Sequence, residues 1–211
     1  MSQIKTVRHE TAKKGRQITK ELSNQDFESG GETPLGWEVV TLGEVVKIRT
    51  GKLDANAAVK GGKYPFFTCS NSASEIDTYS FDTGAVLLAG NGDFNLKVYR
   101  GKFDAYQRTY VIEPIIWNLQ YCFILFRSEI SRITVNHRGS AIPYLKLGDI
   151  TSPIIFLPPL NEQRRIVAKV DELMALCDQL EDSLTAESDR RSRLLAAALA
   201  QALEASDREA A

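Results

Sequence analysis

The sequence predicts an α+β protein in which a β-rich globular domain is followed by one long C-terminal α-helix. Residues 34–158 contain short runs of β-branched and aromatic residues separated by Gly, Pro, Asn and Asp, which is the pattern of strands joined by turns. Beyond residue 160, apolar residues recur at alternating spacings of four and three, which indicates a helix that pairs with another helix. With 211 residues, of which 43% are hydrophobic, the chain can bury one core and still extend one element beyond it.

These patterns divide the chain into four segments. The N-terminal segment shows no sustained apolar period and contains the basic run Lys13-Lys14-Gly15-Arg16, so we expect it to be flexible. The predicted segments are a flexible N-terminal segment at 1–33, the globular domain at 34–158, the long helix at 159–205 and a frayed tail at 206–211.

Within the globular domain we expect strands bounded by turn residues, followed by one helix. A hairpin turn is expected at Arg100-Gly101-Lys102, on account of its glycine. After Pro114, apolar residues recur at helical spacing from Leu119 to Ile133, so a helix should lie on the sheet. The apolar and aromatic residues of this domain are the expected core. The predicted strands are Trp37–Val40, Val45–Arg49, Ala85–Ala89, Leu96–Tyr99, Thr109–Ile112 and Pro153–Leu157.

The long helix should begin at about Asn161. Pro158 and Pro159 cannot continue a helix backwards, Asn161 is a good N-cap, and Glu162 places negative charge in the first turn. If the helix reaches Gln201, it is roughly 61 Å long at 1.5 Å per residue. That length exceeds the width of a domain of this size, so much of the helix should extend beyond it.

The apolar residues of this helix form a narrow stripe of the kind that suits helix pairing. We name this stripe the helix seam, and we expect it to pair in an antiparallel coiled coil that makes the protein a homodimer. The simpler alternative, an amphipathic helix folded back onto its own domain, stays open. The helix seam consists of Ile166, Val170, Leu173, Cys177, Leu180 and Leu184.

Polar and basic residues in the predicted loops are candidates for contacts with nucleic acid. Residues 34–160 carry 13 basic and 11 acidic side chains, so affinity would have to come from local clusters. Asn, Gln and Arg read base edges, whereas Lys more often holds phosphate. For any single one of these residues, an ordinary solvated loop is an equally good interpretation. The candidates are Asn91, Asn95, Gln107 and Arg108 for base readout, and Lys52, Lys63, Lys97, Arg100, Lys102, Arg138 and Lys146 for phosphate.

Catalytic and metal-binding motifs are missing from the sequence. It contains two histidines, His9 and His137, and neither a G-x-S-x-G elbow, an H-E-x-x-H pair nor a P-loop. Nothing fixes the mutual geometry of its scattered aspartates, so surface carboxylates are a better interpretation than a nuclease site. We therefore expect no catalytic residue and no metal site. The aspartates considered are Asp54, Asp82, Asp93 and Asp104.

The cysteines and the hydropathy pattern indicate a cytoplasmic protein. Cys69, Cys122 and Cys177 are odd in number and far apart, which fits neither a disulfide framework nor a zinc site. The strongest apolar run, Ile115 to Phe126, is short and interrupted by polar residues, and the start of the chain lacks the pattern of a secretory signal. We expect no membrane partner.

Four segments together resemble a DNA target-recognition domain of the specificity subunits of type I restriction-modification systems. The most specific is the run Leu157-Pro158-Pro159-Leu160-Asn161-Glu162-Gln163-Arg164-Arg165-Ile166-Val167, which leads into the leucine-spaced helix. The resemblance covers residues 34 to about 200 and rests on the order and spacing of the segments. The other three are Pro34 to Val45, Gly84 to Tyr110 and Gly139 to Leu147.

The resemblance implies a non-catalytic protein that recognises a specific sequence in double-stranded DNA. It also implies docking to methyltransferase subunits, which hold S-adenosylmethionine, while this chain binds no cofactor itself. Restriction subunits with motor and nuclease activity can join such complexes. A full subunit of the family has two recognition domains, whereas this chain has one domain and one helix. We therefore expect a half-length form that dimerises to read an inverted repeat, or else the carboxyl half of a longer subunit.

Two functions of other classes stay open. One is a coiled-coil interaction protein that binds a methyltransferase or another protein without reading DNA. The other is a stand-alone nuclease or methyltransferase whose site the sequence motifs do not reveal.

Overall fold

The computed structural model describes residues 34–115 and 117–209, with side chains described through residue 196. The expected flexible segment at 1–33 lies outside the described residues. The chain divides into two compact units between Arg165 and Ile166. The first contains the globular domain and the first turn of the long helix, and the second contains the rest of that helix.

The globular domain combines two sheets with short helices. A two-stranded antiparallel sheet pairs β1 with β8, and a six-stranded sheet has the order β2-β7-β5-β6-β3-β4. All its described pairs are antiparallel except β3 with β6. The predicted α+β class is confirmed. The elements are β1 (Glu38–Thr41), α1 (Leu42–Val45), β2 (Val46–Thr50), a 3-10 turn (Ala55–Ala57), β3 (Tyr64–Phe67), β4 (Ser74–Ile76), β5 (Phe81–Ala89), β6 (Leu96–Ala105), β7 (Thr109–Pro114), α2 (Leu119–Thr134), α3 (Leu147–Thr151), β8 (Ile154–Leu157) and α4 (Leu160–Glu209).

The core lies on both faces of the central strand β5, where every residue from Ala85 to Ala89 is buried. A Cβ added at Gly84 would lie 2.9 Å from the Leu119 side chain, so α2 covers the face that carries Gly84, Val86 and Leu88. The opposite face contributes to an aromatic cluster in which the rings of Phe81 and Phe103 stack 5.1 Å apart. The cluster consists of Phe67, Phe81, Ala85, Leu87, Phe103, Ala105 and Val111.

The six-stranded sheet is strongly curved, so that the end of β6 returns to the end of β2. Leu53, just after β2, forms a bridge with Tyr106, just after β6. At Gly51 an added Cβ would lie 1.7 Å from the carbonyl oxygen of Ala105, which leaves room for glycine alone. The curvature brings several loops to the same region of the domain.

The predicted strands are all present, with β5 and β6 longer than expected, but the predicted hairpin turn is wrong. Gly101 lies inside β6 and pairs with Thr83, and its φ of 138° lies in the region that favours glycine. The chain instead turns at residues 90–95, between β5 and β6. The short elements β3, β4, α1 and α3 were not predicted. They are three to five residues long, too short to show a period.

The predicted helix at Leu119–Ile133 is confirmed as α2. Asn118 caps it, since its side-chain oxygen accepts hydrogen bonds from the backbone N–H groups of Gln120 and Tyr121. Cys122 is a buried residue of this helix, and burial raises the pKa of its thiol to about 12. Such a thiol stays protonated and unreactive near neutral pH.

The long helix α4 runs from Leu160 to Glu209 and contains 50 residues, roughly 75 Å at 1.5 Å per residue. It is longer than the expected Asn161 to Gln201, and residues 206–209, assigned above to a frayed tail, are helical. Its first turn is held within the globular unit by the buried side chain of Gln163. The Gln163 amide oxygen accepts the Asn118 N–H at 3.0 Å, and its amide nitrogen donates to the Pro158 carbonyl at 3.0 Å.

Candidate nucleic-acid interface

Loops from distant parts of the sequence meet at the end of the curved sheet, joined by backbone hydrogen bonds. The Gly90 N–H donates to the Arg108 carbonyl at 2.8 Å, and the Gln107 N–H donates to the Leu53 carbonyl at 2.9 Å. The Gly92 N–H donates to the Pro143 carbonyl at 3.0 Å. We name this surface the loop rim. It comprises residues 51–53, 68–70, 90–95, 106–108 and 138–146.

The loop rim contains all four predicted base readers and three of the predicted phosphate contacts. Lys97 adjoins it, because its ammonium donates to the Asn95 side chain. Lys63, Arg100 and Lys102 lie outside it. Within the loop rim are Asn91, Asn95, Gln107 and Arg108, together with Lys52, Arg138 and Lys146.

Gln107 and Arg108 are the predicted base readers with the most accessible side chains. Both lie on the turn between β6 and β7 and are exposed. Their backbone is held in place through the bonds to Leu53 and Gly90. Within the part of the chain that the structure describes, neither side chain forms a hydrogen bond or an ion pair. Both are therefore available to an external partner, on a backbone that is already ordered.

The side chains of Asn91 and Asn95 are less accessible than those of Gln107 and Arg108. The Asn95 amide nitrogen donates to the Cys69 carbonyl at 2.7 Å, while its oxygen accepts from Lys97. The Asn91 side-chain oxygen is buried and has no hydrogen-bond partner among the described residues. The Asn91 backbone forms a bridge with Tyr144. A base contact through the Asn95 amide would compete with its structural role, whereas the buried Asn91 oxygen would first have to become accessible.

Lys97 lies opposite Leu87 on the sheet, so its side chain is on the face that carries the aromatic cluster. Burial lowers the pKa of Lys97, and the nearby Cys69 opposes this shift. Lys97 is therefore a weaker candidate for phosphate than an exposed lysine, because part of its ammonium hydration has already been replaced by the Asn95 contact.

Arg138 and Lys146 are arranged around Asp149. The Arg138 guanidinium lies 2.6 Å from the Asp149 carboxylate, which also accepts the Lys146 N–H at 2.7 Å. Burial opposes ionisation of Asp149, but the hydrogen bonds from Lys146 and Arg138 and the charges of both outweigh it and lower the pKa of this carboxyl. The Arg138 charge is therefore balanced within the protein, whereas the Lys146 side chain is exposed.

The three cations outside the loop rim lie along the body of the sheet. Lys102 sits over the Tyr79 ring at 4.7 Å, and its hydrogen bond to Tyr79 raises the pKa of Lys102. Arg100 pairs with Gly84 next to α2. Lys63 precedes the first residue of β3. The last residue of that strand, Phe67, accepts a hydrogen bond from Tyr106 of the loop rim, so Lys63 lies at the opposite end of the strand.

Comparison with known proteins assigns the chain to a family. A family model described as the type I restriction modification DNA specificity domain matches residues 34–187. The chain belongs to this family of specificity domains.

Two curated relatives are specificity subunits of type I restriction enzymes. The EcoDI subunit of Escherichia coli is 55% identical over 147 residues, which are 70% of this chain and 33% of the relative. The MjaIX subunit of Methanocaldococcus jannaschii is 25% identical over 166 residues, which cover 65% of this chain and 38% of the relative. The chain thus spans between a third and two fifths of these relatives.

Solved structures of the same kind share the fold. An S subunit from M. genitalium matches with a TM-score of 0.59 at 16% identity, over 72% of this chain and 42% of that one. The HsdS subunit of Thermoanaerobacter tengcongensis matches with a TM-score of 0.56 at 21% identity, over 86% of this chain and 48% of that one. A third match is a structure from work on complex assembly and conformational transition of the type I R-M system. Its TM-score is 0.62 at 20% identity, and the match covers 91% of this chain and 52% of that one.

The helix seam of this specificity domain exposes much of its apolar surface. The side chains of Leu173, Leu180 and Leu184 are 49, 64 and 66% exposed, and Cys177 is exposed as well. Ile166 and Val170, closer to the start of the helix, are partly buried.

The carboxylates considered for a nuclease site do not form one. Asp104 is buried and accepts hydrogen bonds from the Ser80 hydroxyl and the Ala105 N–H, and Asp54 caps the 3-10 turn. Among the described residues, no group of three or more His, Cys, Asp or Glu side chains is placed to hold a metal ion. No helix in the described part of the chain has the length and apolar character needed to cross a membrane.

One residue that organises the site, Asp149, was missed by sequence reasoning. Asp149 had a local signal, because an acid three residues after Lys146 is a helix-start pattern that satisfies the cap N–H. Gln163 lies in the motif run that precedes the long helix, but its hydrogen bond to Asn118, 45 residues away in the sequence, had no local signal.

Proposed function

We propose that this specificity domain is a non-catalytic DNA-recognition module that reads one half of a bipartite site. The observation that carries the proposal is the loop rim, which brings all four candidate base readers together from separate parts of the sequence. The exposed pair Gln107 and Arg108 would read base edges, while Lys52 and Lys146 would hold the phosphates beside them. The family and the relatives named as type I specificity subunits support this role.

The same proposal assigns the chemistry to partners. Methyltransferase subunits would dock to the chain and hold S-adenosylmethionine, and a restriction subunit with motor and nuclease activity could join the complex. This chain would bind no cofactor and no metal itself, and would act in the cytoplasm.

We further propose that two copies pair antiparallel through the helix seam. Leu173, Leu180 and Leu184 are about half to two thirds exposed, so burying them in both copies contributes roughly 1–2 kcal/mol for each leucine. The sum is on the scale of the roughly 4–15 kcal/mol that association costs. Antiparallel pairing places two identical domains at opposite ends of the paired helices, so the site would be an inverted repeat.

The geometry of this dimer limits the distance between the half-sites. If Ile166 to Leu184 overlap in full, the two copies of Leu160 lie about 30 residues apart along the rod, or roughly 45 Å at 1.5 Å per residue. At about 3.4 Å per base pair, this corresponds to roughly 13 base pairs between the attachment points. The half-site centres should therefore be of this order apart, and closer than the full length of α4 would allow.

Selection of bound duplexes from a random pool tests the proposal. We expect the chain, incubated with a type I methyltransferase subunit, to enrich an inverted bipartite motif, and its mass in solution to be that of a dimer. A Gln107→Ala/Arg108→Ala double variant should keep the dimer mass but lose the enrichment, since both side chains are exposed and should not be needed for folding. Binding of the methyltransferase without enrichment of any motif would contradict DNA reading and favour the coiled-coil interaction protein. Cleavage or methyl transfer by the isolated chain would instead favour the stand-alone enzyme.

A further inference from the structure

The loop between α2 and α3 contains a compact, uncharged tip at residues 139–143. Arg138 and Tyr144 close it with two backbone hydrogen bonds, of 3.0 Å from Arg138 N to Tyr144 O and 2.7 Å in the other direction. Gly139 has a φ of +87°, and a Cβ added there would lie 2.3 Å from the Ile142 carbonyl oxygen. The tip conformation therefore depends on this glycine.

The tip is fastened to the candidate base-reading loop. Pro143 accepts the Gly92 N–H at 3.0 Å, and the Leu145 N–H donates to the Gly90 carbonyl at 2.9 Å. The Tyr110 hydroxyl donates to the Leu145 carbonyl at 3.0 Å. The ion pair between Arg138 and Asp149 holds the base of the same loop. These bonds order the tip before any partner binds, which lowers the entropy cost of using it in recognition.

Ile142 at this tip is exposed although the backbone around it is held. Its side chain is 63% exposed, and its neighbours in the tip are Ser140, Ala141 and Pro143, none of them charged. The exposed cations Arg108 and Lys146 belong to the same loop rim. An exposed apolar side chain in the same loop rim as a candidate base reader, Arg108, and a candidate phosphate contact, Lys146, suits a DNA groove, where apolar groups can contact base edges.

We propose that Ile142 is a specificity-determining residue that contacts the C5-methyl group of a thymine in the major groove. This inference rests on the proposed DNA-reading function and assigns one base contact within it. The thymine methyl is the apolar feature that distinguishes A·T from the other pairs in that groove, and small apolar side chains recognise it by direct contact. The Ile142 side chain itself has no polar group or charge with which to bind a phosphate or a guanine.

Exchange of thymine for deoxyuridine tests this contact, because uracil differs from thymine only in lacking the methyl group. The probe is the duplex enriched by the wild-type chain, with each thymine replaced in turn. At one position we expect the wild-type protein to bind the uracil duplex about fourfold more weakly, the effect of one lost methyl contact. Ile142→Ala should bind the thymine duplex more weakly than wild type and no longer distinguish the two bases there.

Two matched controls separate the contact from a folding effect. Val135→Ala removes a side chain that is 70% exposed but lies outside the tip, and should leave the thymine preference unchanged. Gly139→Ala should abolish the preference by distorting the tip, whereas Gly148→Ala, whose added Cβ meets nothing within 4 Å, should retain it. Thermal unfolding of each variant checks that the domain is folded.

The outcomes distinguish this inference from the proposed function. If the wild-type chain enriches a motif but no thymine in it is sensitive to uracil, or if Ile142→Ala keeps the same preference, the Ile142 contact is overturned while DNA reading stands. If the wild-type chain enriches no motif, DNA reading fails, and the contact that rests on it fails too.

Discussion

The loop rim and the helix seam differ in how their side chains are held. In the loop rim, Asn95 is hydrogen-bonded at both ends of its amide and Arg138 is paired with Asp149, so several polar groups serve the fold as well as the surface. In the helix seam, Leu173, Leu180 and Leu184 lie on a regular helix and are largely exposed. One surface is built by tertiary contacts, and the other by the periodicity of a single helix.

This difference indicates how substitutions will act. In the proposed dimer, a change in the helix seam should alter association and leave the globular core untouched. A change in the loop rim can act on recognition or on loop structure, depending on whether the side chain has an internal partner. Substitution of the exposed Gln107 or Arg108 should act on recognition. Substitution of Arg138 or Asn95, which have internal partners, should act on loop structure as well.

The largest effect should come from a charge in the helix seam. Leu173→Lys or Leu180→Lys should convert a dimer to monomers, because each interface would bury two unpaired charges, at a cost of several kcal/mol. Analytical ultracentrifugation measures the mass. Ala175→Lys is the matched control, since residue 175 lies on the opposite side of the helix from the seam. A dimer mass unchanged in both seam variants would exclude this interface.

The second largest effect should come from the spacing of the two half-sites. Inserting five base pairs into the central spacer rotates one half-site by about half a helical turn, so we expect binding to fall by about tenfold or more. Titration of labelled duplexes measures this. A duplex with the same spacer length but a changed spacer sequence is the control and should bind normally. Equal binding at every spacer length would contradict a rigid dimer.

The third prediction separates base readers from phosphate contacts. Arg108→Ala should relax preference at one base position at a cost of about 1–3 kcal/mol, whereas Lys52→Ala should weaken all duplexes alike and reduce the salt slope by about one. Selection and salt titration with each variant measure the two effects. Both side chains are exposed, so each variant serves as the other's folding control. A uniform loss in both would show that the division of roles is incorrect.

The smallest effect should be on the pH dependence of stability. The pKa of Asp149 is lowered in the folded protein, so its contribution is present above the unfolded value of about 4 and is lost as pH falls through the folded value. Asp149→Asn should cost about 1 kcal/mol at pH 7 and less at pH 3. Urea unfolding at both pH values measures this.

Asp178→Asn, at an exposed position on α4, is the control for this experiment and should leave the stability nearly unchanged at both pH values. An Asp149→Asn variant that loses as much stability at pH 3 as at pH 7 would show that the ion pair with Arg138 is not responsible.

Long periodic elements were predictable from sequence, and contacts between distant loops were not. The start of α4 after Pro159 followed from the two prolines, and the span of α2 followed from apolar spacing and its cap, which act within a few residues. The expected N-cap of α4 was wrong, because Asn161 lies inside the first turn and the Pro159 carbonyl accepts the Gln163 N–H. The turn predicted at Arg100-Gly101-Lys102 failed because glycine also serves at strained points inside a curved strand. There, a φ of 138° at Gly101 keeps β6 paired with Thr83.

The candidate site was predictable as a set of residue types but not as a surface. Asparagine, glutamine and arginine in polar loops indicated base contacts, yet nothing local places Lys102 over Tyr79 or Asn95 between Cys69 and Lys97. Those placements depend on which strands become neighbours. The predicted phosphate contacts therefore divide between the loop rim and the body of the sheet.

The sequence by itself determined the α+β class, the long helix with its exposed seam and the membership of a specificity family, because these depend on local spacing and on motifs in order. Only the tertiary structure decided which loops meet. The curvature of the sheet brings the end of β6 back to Gly51, and backbone hydrogen bonds join residues 90–92 to residues 143–145. Hydrogen bonds between residues far apart in sequence hold that surface. The physical reason is that such pairings form only when the whole sheet has folded, whereas a helix seam follows from the repeat of a single helix.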